Sequence, residues 1–243
     1  MRREIHTWWS PRTGMEMSTA VYGHWGFALL LFPTAGSGFL ECEEHSLIGA
    51  VEHFIEAGRM KVFTVGTLNN ESWLNEEADP ARMGARQQDY NGYLEEEAVP
   101  FIARMTSSST PVIAAGASLG GYQAANAFFR RPDLFGGMIA MSGTFDMKLY
   151  TGGACEADCY CNSPVDFLPD LEEGHRLRLL RSREQIHILA GRGPHECPEH
   201  SIELAGILSA KGIPHHLDLW GEDMPHDWPT WKAMLPHVIG TRL

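Results

Sequence analysis

Short, largely apolar runs alternate along this chain with longer stretches whose apolar positions recur at helical spacing. The runs 27–32, 60–65, 135–141 and 185–190, and the one that starts at Pro111 and leads into Ser118, show little period-two alternation. They therefore read as strands covered on both faces. Between them, residues 44–57 show helical spacing through Leu47, Val51, Phe54 and Ile55, stopped by Gly58. A long helical stretch runs from about Pro80 to Met105, a second begins at Tyr122 and ends at Arg131-Pro132, and others cover 198–210 and 228–239. Residues 4–9 and roughly 15–22 are two opening strands separated by a Pro-Arg-Thr-Gly turn, and 215–220 is the last strand. The segment 147–183 is irregular, with a short helix expected around 171–181. Strands alternating with helices of this length predict an α/β fold: a mostly parallel sheet, helices on both faces, and an antiparallel N-terminal edge. With no repeat, linker or low-complexity segment, residues 1–243 read as one domain, and 147–183 as its variable lid or substrate loop.

One strand–helix junction has a chemical signature. The apolar run 111–115 enters Gly116-Ala-Ser118-Leu-Gly120, and helical pattern resumes at once. A strand, a turn too tight for ordinary side chains and a helix would expose the Ser118 hydroxyl at the strand end. Gly116 and Gly120 leave room for that turn, and the helix aims its first N–H groups at whatever Ser118 attacks. In a doubly wound sheet the partners of such a serine belong in other loops at the carboxyl ends of strands. His226, between the last strand and the last helix, is the candidate general base; the alternative is a loop histidine at a helix start. Glu196, just beyond strand 185–190, is the first candidate for the acid that orients it. Asp146, after strand 135–141, is the alternative acid, although an Asx turn would also explain it, and Glu199 and Asp223 are lesser alternatives. The oxyanion hole calls for the backbone N–H of Leu119 and a second one from Thr34-Ala35-Gly36, of which Ala35 is favoured.

These residues resemble the putative-esterase branch of the α/β-hydrolases, which includes S-formylglutathione hydrolases, feruloyl and acetyl-xylan esterases, siderophore esterases and mycolyl-transferring antigens. The resemblance runs from strand 27–32 to the last helix. It rests on Gly-Ala-Ser-Leu-Gly-Gly, Arg-Arg-Pro-Asp-Leu-Phe (130–135), Met-Ser-Gly-Thr-Phe-Asp (141–146) and His-Asp-Trp-Pro-Thr-Trp (226–231). It implies an α/β-hydrolase fold with Ser118 as nucleophile, Glu196 as acid and His226 as base. One departure is visible: the family commonly has His-Gly in the oxyanion loop, where this chain reads Phe32-Pro-Thr-Ala-Gly.

Composition narrows the partners. With 19 Lys and Arg against 31 Asp and Glu, the net charge is −12, which argues against nucleic acid and anionic membranes. The acidic patch Glu95-Glu-Glu97 reads as a solvated face. Neither a membrane span nor the apolar core of a signal peptide is visible. Five cysteines without framework spacing point to a reduced, cytoplasmic setting. Cys155, Cys159 and Cys161 read as ordinary loop cysteines, with a disulfide or a structural metal as alternatives. His195 and His200 read as surface residues. Trp73, Trp228 and Trp231 could line an acyl or aromatic-leaving-group pocket, or else simply pack the last helix on the sheet.

The expectation is thus a serine carboxylester hydrolase for a small-molecule ester, working through an acyl-enzyme with no metal or organic cofactor. An acyltransferase with an alcohol acceptor and a non-catalytic binding protein on the same scaffold are the alternatives. Oligomeric state is left open, a homo-oligomer included.

Overall fold

The computed structural model describes residues 1–106, 112–155 and 157–243. Pro111, expected at the start of the strand before Ser118, lies outside them. Eight strands form one sheet: β1 (Arg3–Ser10), β2 (Met15–Tyr22), β3 (Phe27–Phe32), β4 (Met60–Val65), β5 (Val112–Ala117), β6 (Phe135–Met141), β7 (Gln185–Ala190) and β8 (His216–Leu219). Their order is β1-β2-β4-β3-β5-β6-β7-β8. β1 and β2 pair antiparallel, β2 joins β4 antiparallel, and every later pairing is parallel.

The interior strands are largely apolar because both faces are covered; Lys61 and Thr64 on β4 and His187 on β7 are buried polar exceptions. On β3, Leu30 and Phe32 enter one core layer and Leu29 and Leu31 the other. The first layer packs against α4 (Pro80–Tyr93), α5 (Val99–Met105) and α6 (Leu119–Arg130) through Tyr90, Tyr93, Ile102, Phe128 and Phe129. The second packs against α2 (Leu47–Ala50), α3 (Glu52–Glu56) and α11 (Trp228–Thr241) through Leu47, Phe54, Trp231 and Leu235.

Two expected helices are modified. The stretch 44–57 is broken into α1 (Glu41–Glu44), α2 and α3, with Ser46 at φ 63° between the first two. A residue in the left-handed region cannot continue a right-handed helix. From Pro80 to Met105 the helical path is unbroken but widens to a π turn at Leu94–Ala98 between α4 and α5. Pro100 lies two residues further on; it has no N–H to donate and its ring crowds the preceding turn, which a one-residue widening relieves.

The segment 147–183 contains a 3₁₀ turn (Met147–Leu149), α7 (Ala157–Tyr160), α8 (Pro164–Phe167) and α9 (His175–Arg181); α10 (Pro198–Ala210) follows β7. Cys155 and Cys159 form a disulfide, which corrects the reading of ordinary loop cysteines. In the acidic patch Glu96 is exposed, as a solvated face requires, while each member also has a partner. Glu97 accepts from Trp8 Nε1 at 2.8 Å and Ser10 Oγ at 2.7 Å, Glu95 pairs with Arg131 and Glu96 with Arg12. It ties the antiparallel edge to the helical layer. Among the described residues no helix is long and apolar enough to cross a membrane, and no group of three or more His, Cys, Asp or Glu is arranged to hold a metal ion.

Candidate active site

The site is assembled at the carboxyl end of the parallel strands. Ser118 sits between β5 and α6 at φ 55°, ψ −126°, a conformation that L-residues rarely adopt. The surroundings impose it. A Cβ on Gly116 would overlap the Gly120 backbone, and one on Gly120 would overlap the Phe32 and Pro33 carbonyl oxygens. Ser118 N–H donates to Met141 O at 2.9 Å, so it is committed to the sheet. Leu119 opens α6, where a backbone N–H has no partner within the helix.

Two loops meet over Ser118. Gly193 N–H donates to Met224 O at 3.0 Å, and His226 N–H donates to Pro194 O at 3.0 Å. Side chains at Gly191 or Gly193 would collide with the Met224 backbone, so glycine is what lets the loop after β7 lie on the loop after β8. This zipper brings His226 Nε2 to 3.0 Å from Ser118 Oγ and His226 Nδ1 to 3.5 Å from Glu196 Oε2. The Glu196 side chain is 1% exposed. Its other oxygen accepts from Ser142 Oγ at 2.6 Å, and Trp231 Nε1 donates to Ser142 Oγ at 3.1 Å. The Trp231 ring also stands edge-on to the His226 imidazole, 5.2 Å between centroids. One buried carboxylate thus meets the imidazole through one oxygen and a hydroxyl through the other, and the charge strengthens both contacts.

The loop after β3 lies beside the elbow because Phe32 pairs in register with Gly116. Its backbone is gripped by side chains. Glu41 accepts from Thr34 N–H at 2.6 Å and Thr34 Oγ1 at 2.7 Å, Asn69 Nδ2 donates to Ala35 O at 2.7 Å, and Asn70 Nδ2 donates to Gly36 O at 2.8 Å. The Thr34 N–H is therefore spent on Glu41.

A cleft of about 170 Å³ opens on Ser118 and His226, lined also by Ser142, Gly143, Thr144, Tyr150, His195, Cys197 and His200. Trp73, Trp228 and Trp231 are not among the residues that line this cleft, although Trp231 packs directly behind it against His226 and Ser142. Trp73 is buried, donating to Gln87 Oε1 and Tyr122 Oη. Trp228 stacks on His45 at 4.3 Å, and Trp231 is buried against Ser142. Asp146 caps the 3₁₀ turn, accepting from Lys148 N–H at 2.9 Å and pairing with Lys148 Nζ at 3.0 Å. His195 and His200, read from sequence as surface residues, also line the cleft, a role that reading did not give them; His195 is exposed and held at φ 65°. Ser142, at φ 50° with its N–H on Leu189 O, was also missed. Its sequence signals are its place directly after β6, as Ser118 follows β5, and its position in the Met-Ser-Gly-Thr-Phe-Asp stretch.

A family model described as "Putative esterase" matches residues 50–239. No curated protein sequence matches. Solved structures are similar over nearly the whole chain. A ferulic acid esterase aligns with TM-score 0.75 and 18% identity, over 98% of this chain and 96% of that one. An S-formylglutathione hydrolase from Agrobacterium tumefaciens gives TM-score 0.73 and 14% identity, over 97% and 92%. The fluorophosphonate-binding serine hydrolase F of Staphylococcus aureus gives 0.66 and 16%, over 98% and 97%. At these identities the likeness is one of fold.

Proposed function

The chain belongs to the "Putative esterase" family and is a carboxylic ester hydrolase with an α/β-hydrolase fold, and from that premise we propose that Ser118, His226 and Glu196 are its nucleophile, base and acid. The observation that carries the reading is the continuous line Ser118 Oγ–His226 Nε2 at 3.0 Å and His226 Nδ1–Glu196 Oε2 at 3.5 Å. In this reading Ser118 Oγ attacks the ester carbonyl while His226 Nε2 takes its proton. The carbonyl oxygen becomes an oxyanion held by the N–H groups of Leu119 and Ala35. Collapse of the tetrahedral intermediate expels the alcohol, which receives the proton from His226 and leaves an acyl-Ser118. Water, deprotonated by His226, then attacks the acyl carbonyl, and Ser118 recovers its proton as the acid departs. Glu196 stays ionised, fixing the imidazole tautomer and offsetting the imidazolium charge.

The substrate reading follows from the cleft. Its small volume and the polar groups of Thr144, Tyr150, His195 and His200 favour a short ester or thioester over a long apolar acyl chain. Tyr150 belongs to the 147–183 segment, which supports that segment as the substrate loop of a single domain. Stopped-flow hydrolysis of p-nitrophenyl acetate and its longer-chain homologues tests both parts. A burst of one p-nitrophenol per chain and a rate that falls with chain length are expected. No burst, with no turnover of any chain length by folded protein, would refute the proposal.

A further inference from the structure

The two backbone donors assigned to the oxyanion hole come from different elements, Leu119 from the start of α6 and Ala35 from the loop after β3. What sets the distance between them is not the sheet alone. The loop 33–38 has no regular secondary structure, and Ala35 itself is exposed. Glu41 and Asn70 fix its shape through Thr34 and Gly36. Asn69 is different, because it reaches through to the nucleophile helix.

Asn69 and Gln123 are both fully buried. Asn69 Nδ2 donates to Ala35 O at 2.7 Å, and its Oδ1 accepts from Gln123 Nε2 at 2.9 Å. Gln123 lies on α6 one helical turn beyond Leu119. A carbonyl can only accept, so Ala35 O requires the nitrogen of the Asn69 amide to face it, and the oxygen then faces Gln123. Gln123 is itself locked by Gln87, each donating to the other at 2.9 Å, and Gln87 Nε2 also donates to Asn91 Oδ1 at 3.0 Å. A buried amide in a fully used network has little freedom to rotate, since each lost bond strands a desolvated polar group.

We infer that Asn69 is a positioning residue for the oxyanion hole: one side-chain amide spans from the Ala35 carbonyl to α6 and holds the Ala35 and Leu119 N–H groups at their working separation. The inference rests on the assignment of those two donors in the preceding section. Asn69 touches no reacting atom; it fixes the peptide on one side of Ala35, so that the Ala35 N–H need not be ordered at the moment of reaction. Donors placed in advance are what make such a hole effective, and displacement by an ångström is enough to lose much of the effect.

The test compares Asn69→Ala with Asn91→Ala, which cuts the same buried network without touching the loop. Both variants should melt below wild type. Only Asn69→Ala should lower kcat on p-nitrophenyl acetate, by roughly 10- to 100-fold with KM changed less than about 3-fold, and weaken a trifluoromethyl ketone inhibitor in parallel. If Asn69→Ala does not fold, the isosteric Asn69→Asp carries the test, because it keeps the acceptor for Gln123 and loses the donor to Ala35. Loss of kcat in Asn69→Asp supports the inference. An unchanged kcat in a folded Asn69 variant, or equal loss of kcat in Asn91→Ala, overturns it. Wild type and Ser118→Ala in the same assay keep the two readings apart: an active wild type with an inactive Ser118→Ala leaves the hydrolase reading standing whatever Asn69 does.

Discussion

The Ser142 hydroxyl donates to Glu196 Oε1 at 2.6 Å, while His226 Nδ1 stands 3.5 Å from the other carboxylate oxygen. The carboxylate is therefore held more closely by the residue behind it than by the imidazole it is proposed to orient. Ser142 in turn is fixed by its strained backbone at φ 50° and by the Trp231 indole.

Removing that hydroxyl should loosen the carboxylate while leaving Ser118, His226 and Glu196 themselves in place. Ser142→Ala is expected to lower kcat about tenfold, the kinetic equivalent of one hydrogen bond to a charged group, with KM nearly unchanged. Trp231→Phe, which keeps a ring edge against His226 and loses only the hydrogen bond to Ser142, should cost less. Steady-state kinetics on p-nitrophenyl acetate decide the matter, and a Ser142→Ala enzyme as fast as wild type would show that Glu196 needs no such support.

The elbow gives a second prediction. A Cβ at Gly120 would overlap the Phe32 and Pro33 carbonyls, which belong to the strand and loop proposed to supply the second oxyanion donor. Gly120→Ala should lower unfolding free energy by about 1–3 kcal/mol and also depress kcat, because the loop must retreat from Ser118. Urea denaturation and kinetics on the same preparation test the pairing. Lost stability with full kcat would mean that the loop's position is immaterial.

How far the sequence reached depended on the range of the interactions. β3, β4, β6 and β7 were legible to the residue, because buried parallel strands are apolar runs bounded by turn residues. The Ser118 turn was legible because glycines at 116 and 120 answer a local steric demand. The breaks at Ser46 and at Leu94–Ala98 were not, since the helical spacing continues across both. Trp73 shows the limit most clearly: its loop suggested a pocket, but its indole N–H is held by Gln87 and Tyr122, two partners far away in sequence. The wall formed by His195 and His200 was invisible for the same reason, because it depends on how the loop after β7 folds over Met224.

Away from the site, His187 links stability to pH. It is 1% exposed, and burial, then the neighbouring His216 and Arg242, push its imidazole down to about 4. An unfolded histidine titrates near 6.5. Above that value neither state binds the proton. Between about 6.5 and 4 the unfolded chain binds it and the folded chain does not, so stability falls as pH drops through this window and levels off below it. The contribution is on the order of 3 kcal/mol. His187→Gln should remove this part of the pH dependence, read as the difference between wild-type and variant urea midpoints at pH 7 and pH 4.5. Parallel pH profiles for the two proteins would contradict it.

The central claim is that Ser118 is a nucleophile activated by His226. Its most direct test is the intact mass of the protein after treatment with a fluorophosphonate. Wild type should gain a single phosphonyl group, mapped to Ser118, with loss of esterase activity in step; Ser118→Ala should gain none, and His226→Gln should label far more slowly. A folded wild-type protein that remains unlabelled, or a Ser118→Ala protein that labels as readily as wild type, would contradict the account.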